Sequence, residues 1–155
     1  MHTSAFHPVA IASDKGGALY IADADQERVL AFEFSGRFVR TLGGIGAKAG
    51  SFRGLRGLAT TPRGEIVTAE RLNARVQRLD PGGRVLASWP LDVKPGRRAL
   101  PAAVDDSARV AIADESTGRL WIFDPSGRLL ATLEGLERPR SLAFAGGGAL
   151  FVGEA

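Results

Sequence analysis

The chain has 155 residues, of which 45% are hydrophobic and 24% charged, and its formal net charge is +3. This length and composition allow a buried core, which excludes a disordered chain and a collagen-like repeat. The absence of cysteine excludes disulfides, a thiolate nucleophile and a cysteine-ligated zinc site. We expect neither a membrane span nor a membrane partner, because no apolar run approaches about eighteen residues. The start lacks a secretion-signal pattern, so the compartment stays open, and a cytoplasmic location is expected if Met1 is the natural start.

The first predicted elements are four short strands separated by turn-forming residues. They span Val9–Ser13, Ala18–Asp23, Arg28–Glu33 and Arg37–Leu42. β-Branched and aromatic residues favour strands, and glycine-containing pairs such as Gly16-Gly17 and Ser35-Gly36 favour tight turns. These segments therefore predict a four-stranded antiparallel meander.

The same order of residues returns twice more along the chain and begins a fourth time. Each unit has a small residue followed by an acid, at Ala22-Asp23, Ala69-Glu70, Ala113-Asp114 and Gly153-Glu154, with the acids 47, 44 and 40 residues apart. An arginine with an aliphatic residue follows five residues after each of the first three acids, and a Gly-Arg pair follows thirteen residues after. The fourth unit contains two predicted strands, Arg140–Phe144 and Ala149–Glu154.

Repeats of about 40 to 47 residues with four short strands each are typical of β-propeller blades. The predicted fold class is all-β: a partial β-propeller of four-stranded antiparallel blades, three complete and a fourth reduced to two strands. We expect one domain over residues 1–155, with blades at about 6–51, 52–99, 100–138 and 139–155. A column of small residues marks the innermost strands, where the blades crowd together: Ala12, Ala59, Ala103 and Ala143.

Several segments resemble the NHL-repeat family of β-propellers. They include Phe6–Ala12, Leu19–Asp23, Arg28–Phe32 and the glycine-rich link Gly43–Phe52. The resemblance covers about three and a half repeats, and it implies a propeller whose relatives include binding proteins, RNA binders and a few enzymes. The resemblance also implies that a closed ring would contain about six blades, within the range typical of propellers. We therefore expect either a piece of a longer propeller or an arc that self-associates to complete the ring.

The sequence is poor in catalytic groups. His2 and His7 are its two histidines, and both lie near the N-terminus, where loosely held residues are expected. Known hydrolase, zinc-protease and phosphate-binding motifs are missing. We therefore predict that the chain is not an enzyme and has no cofactor and no metal site. The alternative is a fragment of a larger propeller enzyme or sensor, whose reactive groups lie in other blades.

The acid that ends the second strand of each blade has two interpretations. Asp23 and Asp25 are spaced like calcium ligands, but an EF-type loop needs glycine where Arg28 stands. The structural alternative is a pair between the acid and the arginine five residues later. This predicts three pairs across turns, Asp23–Arg28, Glu70–Arg75 and Asp114–Arg119.

Charge is distributed unevenly between the two rims of the predicted arc. The links between blades and the turns between second and third strands share one rim, which we call the link rim. It carries eight cationic and six acidic side chains, whereas the opposite rim carries two and five. Because long loops on a rigid scaffold usually bear the binding surface, we predict that a partner contacts Arg53, Arg56, Arg71, Lys94, Arg97, Arg98 and Arg138.

A protein or peptide is the expected partner, and single-stranded RNA is the alternative. RNA recognition needs aromatic side chains for base stacking beside the cations. Phe52 is the lone aromatic residue inside a loop of the link rim, and Trp89 directly precedes another loop. A third possibility is that these arginines only keep a repeat protein in solution. Tyr20 and Trp121 lie inside predicted strands and are expected to pack between blades.

Overall fold

A computed structural model describes residues 6–155, which form fourteen β-strands and contain no helix that could cross a membrane. The first blade consists of β1 (Pro8–Ser13), β2 (Ala18–Asp23), β3 (Arg28–Glu33) and β4 (Phe38–Gly43). The second consists of β5 (Leu55–Thr60), β6 (Ile66–Glu70), β7 (Arg75–Leu79) and β8 (Val85–Pro90). The third consists of β9 (Ala102–Val104), β10 (Val110–Asp114), β11 (Arg119–Phe123) and β12 (Leu129–Leu133). The fourth contains β13 (Pro139–Phe144) and β14 (Leu150–Glu154).

Each blade is an antiparallel meander in which sequence neighbours pair, in the order β1-β2-β3-β4, β5-β6-β7-β8, β9-β10-β11-β12 and β13-β14. The first strands β1, β5, β9 and β13 lie next to one another, so the four sheets stack around a common axis. This arrangement confirms the predicted fold class, with three complete blades and two strands of a fourth. The strand bounds agree with the predicted ones to within one residue in the first and fourth blades.

The turns between third and fourth strands show why the repeated Gly-Arg pairs occur. In the second blade the Asp80 carboxylate accepts hydrogen bonds from the backbone N–H groups of Gly82 and Arg84, each at 2.9 Å. Gly83 has a φ of 92°, in the left-handed region that other residues rarely adopt. Asp124 makes the equivalent bonds to the backbone N–H groups of Ser126 and Arg128, at 2.9 and 3.0 Å. The acid therefore closes the turn that the glycine permits.

The hydrophobic core lies between blades. Tyr20, Val29 and Leu42 of the first blade pack with Leu55 and Ile66 of the second. A second cluster joins the second and third blades and contains Val67, Val76, Trp89, Leu100, Ile112 and Trp121. Tyr20 and Trp121 are 3% and 5% exposed, which confirms the prediction that both pack between blades.

Candidate functional site

A cavity of about 710 Å³ opens on the link rim, where all four blades meet. We call it the axial mouth; the polar and charged side chains that line it are His7, Asp25, Glu27, Arg56, Arg97, Glu115 and Arg140. A second cavity of about 220 Å³, the axial channel, lies between the first strands of the blades. Its apolar walls come from Ile11, Leu58, Ala102 and Leu142. Arg56 and Arg140 line both cavities, so a cationic level separates a polar mouth from an apolar channel.

β-Bulges place these two arginines. Leu55 pairs with Glu70 and Gly57 pairs with Ala69, which leaves Arg56 without an opposite residue. Arg140 occupies the same bulge position in the fourth blade, between Pro139 and Ser141. A bulge bends its strand and changes the direction of the extra side chain. The bulges therefore explain why two of the first strands, β5 and β13, bring an arginine to the axis.

Two of the three acids that line the axial mouth accept hydrogen bonds from backbone N–H groups. The Glu27 carboxylate accepts the backbone N–H groups of Gly54 and Leu55, at 2.7 and 2.9 Å. The Glu115 carboxylate accepts the backbone N–H of Ala99 at 2.8 Å. The same carboxylate forms ion pairs at 3.0 to 3.3 Å with Arg98, Arg138 and Arg140. Three arginines therefore share one acid.

The contacts of Glu115 change its acidity. Burial alone would raise the pKa of Glu115, but the N–H of Ala99 and the guanidinium groups of Arg140 and Arg138 hold that pKa at about 2, below its usual 4.5. A lowered pKa stabilises the folded state above the unfolded-state pKa, and this contribution disappears as pH falls through the folded-state pKa. The contribution of Glu115 is thus complete above about pH 5 and lost toward pH 2.

This pKa leads to a testable pH dependence. We expect Glu115→Gln to lower the thermal midpoint at pH 7, and we expect the difference from the parent chain to shrink steadily between pH 5 and pH 2. Circular dichroism melts of both proteins at four pH values would measure it. A difference that stays constant across this range would show that the ionised Glu115 carboxylate does not stabilise the fold.

Four of the predicted contact residues make no ion pair within 4 Å with any of residues 6–155: Arg53, Arg56, Lys94 and Arg97. Arg56 is only partly exposed. Burial lowers the pKa of Arg56; Glu27 opposes this effect, while Arg71 and Arg97 add to it. Three arginines and three acids line the axial mouth, and Arg98 and Arg138 add two further cations through their ion pairs with Glu115. Arg56 and Arg97 are the arginines of this group without an ion-pair partner among residues 6–155. This local excess of positive charge favours an anionic group in the mouth.

Arg71 is not available to a partner, contrary to the prediction. Its side chain is 1% exposed and forms a 2.8 Å ion pair with the fully buried Asp114 of the next blade. Its guanidinium also donates to the backbone carbonyl oxygens of Lys94, Arg98 and Ala99 at 3.3, 3.1 and 2.8 Å. All of its contacts lie within the interface between the second and third blades. Arg71 is therefore a structural residue, and we remove it from the contact set.

The same contact overturns one of the three predicted pairs across turns. Asp23–Arg28 and Glu70–Arg75 are present at 2.9 and 2.8 Å, as predicted. The predicted pair Asp114–Arg119 is wrong, because the Asp114 carboxylate forms its ion pair with Arg71. Arg119 instead lies 3.0 Å from Glu134 and 3.4 Å from Asp92.

The remaining predicted contact residues lie on the surface of the link rim. Arg53, Lys94, Arg97, Arg98 and Arg138 are exposed, and Arg56 faces the axial mouth. Arg98 and Arg138 are held by Glu115, whereas the other four are not paired within the described part of the chain. Their role in partner binding stays a prediction. Sequence reasoning missed Arg140, although it occupies the same repeat position as Arg56.

The other groups considered from the sequence have different surroundings. The backbone N–H of His7 donates to Asp23 at 3.0 Å, and its ring nitrogen Nδ1 lies 3.6 Å from Asp25, so His7 is held at the edge of the mouth. His2 lies outside the described residues. Phe52 is fully buried and Trp89 is 6% exposed, so neither ring can stack on a base. Within residues 6–155, no group of three histidine or acidic side chains is placed to hold a metal ion.

No protein-family model matches the chain, and no curated protein matches it significantly. The chain does match solved structures. The chain is similar to Kuenenia stuttgartiensis hydrazine synthase, with a TM-score of 0.74 and 12% identity over 98% of this chain and 44% of that one. It is similar to virginiamycin B lyase from Staphylococcus aureus, with a TM-score of 0.73 and 12% identity over 99% of this chain and 51% of that one. It is also similar to a Bacteroides caccae protein of unknown function, with a TM-score of 0.66 and 16% identity over 95% of this chain and 53% of that one.

The fold is a partial β-propeller. Identities of 12 to 16% show the fold alone, and they leave the NHL-repeat family unconfirmed. The chain spans about half the length of these solved chains. Function therefore has to be argued from the side chains of the axial mouth and the link rim.

Proposed function

We propose that the chain is a non-catalytic recognition module, which binds a protein or peptide partner through the link rim with the axial mouth at its centre. One observation carries this proposal: Arg56 and Arg97 face a cavity of about 710 Å³ without an ion-pair partner among residues 6–155. Concave sites with a few convergent polar groups are the usual ligand sites of proteins. The exposed cations Arg53, Lys94, Arg98 and Arg138 surround this centre and provide the wider contact surface.

A peptide fits this surface better than RNA. Successive bases need several aromatic rings to stack on, and both aromatic residues predicted for this role, Phe52 and Trp89, are buried. The acids Asp25, Glu134 and Glu137 are exposed on the same rim and would repel a chain of phosphates. Alternating charges of both signs suit the mixed charges of a protein surface.

The second candidate is a part of a larger propeller enzyme or sensor. The observation that favours it is the length of the solved chains to which this one is similar, about twice its own. In that case the axial mouth would be one wall of a site completed by further blades. The basic rim would then bind or orient a substrate, and the reacting groups would come from elsewhere.

Charge reversal at Arg97 tests the proposed function. Arg97 is exposed and unpaired within the described residues, so Arg97→Glu leaves the ion pairs of Glu115 intact. We expect this variant to bind acidic peptides at least about tenfold more weakly than the parent chain, because a charged hydrogen bond contributes about 1.5–3 kcal/mol. The measurement is fluorescence anisotropy with a panel of labelled peptides of different charge.

Two controls make this result decisive. Lys15→Glu makes the same charge change on the opposite rim, where Lys15 faces Asp106 at 3.8 Å, and it should leave peptide binding unchanged. A single-stranded RNA oligonucleotide is titrated at several salt concentrations. Equal losses from the two variants would overturn the assignment to the link rim. RNA binding that falls steeply as the salt concentration rises would mean that the partner is a nucleic acid and not a peptide.

A further inference from the structure

We infer that the axial mouth and axial channel together bind the C-terminal residue of a peptide, with its α-carboxylate at Arg56 and Arg97 and its apolar side chain in the channel. This inference rests on the proposed function and names the part of the partner that enters the centre. It follows from the order of surfaces along the axis: exposed cations at the rim, arginines at the level of the bulges, and apolar walls beyond them.

The charges around the axial mouth limit the number of negative charges that a ligand can bring into it. Glu27 and Glu115 are occupied by backbone N–H groups and arginines. The backbone N–H groups do not cancel the charge of Glu27, so the balance is that of the whole mouth: five arginines, with Arg98 and Arg138 on Glu115 included, against the acids Asp25, Glu27 and Glu115. Within residues 6–155, Arg56 and Arg97 are the two of these arginines that have no ion-pair partner. A single carboxylate matches this balance, because the planar guanidinium group of arginine binds a carboxylate through two parallel hydrogen bonds.

An apolar surface lies next to these arginines. The side chains of Ile11, Leu58 and Leu142 line the axial channel, and Arg56 lies at its entrance. Ile11 is 66% exposed, so the apolar surface is open to a ligand. The channel volume of about 220 Å³ has room for one aliphatic side chain and none for a folded segment. Burial of such a side chain contributes about 1.5–3 kcal/mol.

These two features select a chain terminus over an internal acid. In a C-terminal leucine or valine, the carboxylate and the apolar side chain are attached to the same Cα atom. The two groups can thus reach the arginines and the channel together. An internal glutamate carries its carboxylate at the end of its own side chain and has no apolar group beside it. A terminal residue also enters a narrow axial site end-on, without a second strand of peptide leaving through the mouth.

The test compares four labelled peptides of ten residues by fluorescence anisotropy. The first ends in leucine with a free carboxylate, the second has the same sequence with a C-terminal amide, the third ends in serine, and the fourth has an amidated end and an internal glutamate. We expect the free leucine peptide to bind at least about tenfold more tightly than each of the others, since each lacks one of the two groups.

Two variants locate the contacts within the site. Arg56→Gln should weaken binding of the free-acid peptide about tenfold and leave binding of the amide peptide unchanged. Ile11→Glu places a negative charge at the exposed wall of the channel and should weaken the leucine peptide in particular. Lys15→Gln, on the opposite rim, is the matched control for loss of one cation. Arg97→Gln repeats the first test at an exposed position if Arg56→Gln proves unstable in a thermal melt.

The outcomes separate this inference from the proposed function. If the free-acid and amide peptides bound equally well, recognition of the terminal carboxylate would be ruled out. If their binding still depended on Arg97, the link rim would remain the recognition surface, and only its ligand would change. If none of the peptides bound in an Arg97-dependent manner, both the inference and the proposed function would be wrong.

Discussion

Replacement of Arg71 by methionine is expected to lower the free energy of unfolding by about 3–5 kcal/mol, because it leaves the buried Asp114 carboxylate without its charged partner. The Arg71 guanidinium lies 2.8 Å from Asp114, and the two side chains are 1% and 0% exposed. The variant would also remove one of the two donors to the carbonyl oxygen of Ala99, at 2.8 Å, and leave the backbone N–H of Glu115 at 3.2 Å. Asp114 would retain its hydrogen bonds from the Ser116 backbone and the Thr117 hydroxyl, which do not neutralise its charge.

Urea unfolding followed by circular dichroism measures this loss, and Arg119→Met is the matched control. Arg119 is the arginine that the repeat pattern pairs with Asp114, but its partners Asp92 and Glu134 are 89% and 68% exposed. Pairs between exposed charges contribute about 0–1 kcal/mol, so the control should cost at most that amount. A larger loss from Arg119→Met than from Arg71→Met would mean that the interface between the second and third blades is not held as described.

The second large effect is expected at Gly57, where alanine should cost about 3 kcal/mol of stability. Gly57 lies in β5, where the second blade packs against Leu100 and Ala102 of the third. An added Cβ atom would overlap the backbone carbonyl oxygen of Leu100 and would lie 2.9 Å from the Cβ atom of Ala69. A backbone oxygen cannot rotate away as a flexible side chain can, so the two blades would have to separate.

Gly146→Ala provides the control for this substitution. Gly146 has no atom within 4 Å of an added Cβ and does not require the left-handed region. We expect its midpoint of thermal unfolding to stay within about 2 °C of the parent chain, whereas Gly57→Ala should lower the midpoint by about 10 °C. Equal midpoints for the two variants would contradict the close packing of β5 against the third blade.

Local repetition was sufficient to predict much of the fold. Strand pairs such as β2 and β3 are joined by short turns, so their residue pattern is determined within about twenty positions. The ion pairs Asp23–Arg28 and Glu70–Arg75 each join the two strands of a single hairpin, and both form as predicted. The acid and glycine of each outer turn act in the same local manner, as Asp80 and Gly83 show.

Contacts between blades were less predictable, because they join residues far apart in sequence. Arg71 reaches Asp114 across 43 positions. The residues that correspond to Arg71 in the neighbouring blades are Ala24 and Glu115, so no repeated column indicates this pair. Its position in a turn suggested exposure, but the link between the second and third blades covers it with three carbonyl oxygens.

The candidate site was predicted only in part for a related reason. The rim assignment follows from strand order; in the structure Arg97 and Arg98 are both exposed, and Arg97 lines the axial mouth. The direction of Arg56 and Arg140 depends on a β-bulge, which adds one residue to a strand and has no fixed signature in a single sequence. Comparison of Arg56 with its repeat position in the fourth blade was the one available signal for Arg140.

Binding at the axial mouth is tested by an NMR titration of the ¹⁵N-labelled chain with a peptide that ends in leucine and a free carboxylate. We expect the largest chemical-shift changes at the side-chain Nε–H of Arg56 and at the backbone amides of Arg97 and Ala99, around the axial mouth. Amides of the opposite rim, such as those of Lys15 and Arg63, should not respond. Changes centred on that opposite rim, with an unaffected Arg56, would contradict the assignment of the axial mouth as the binding site.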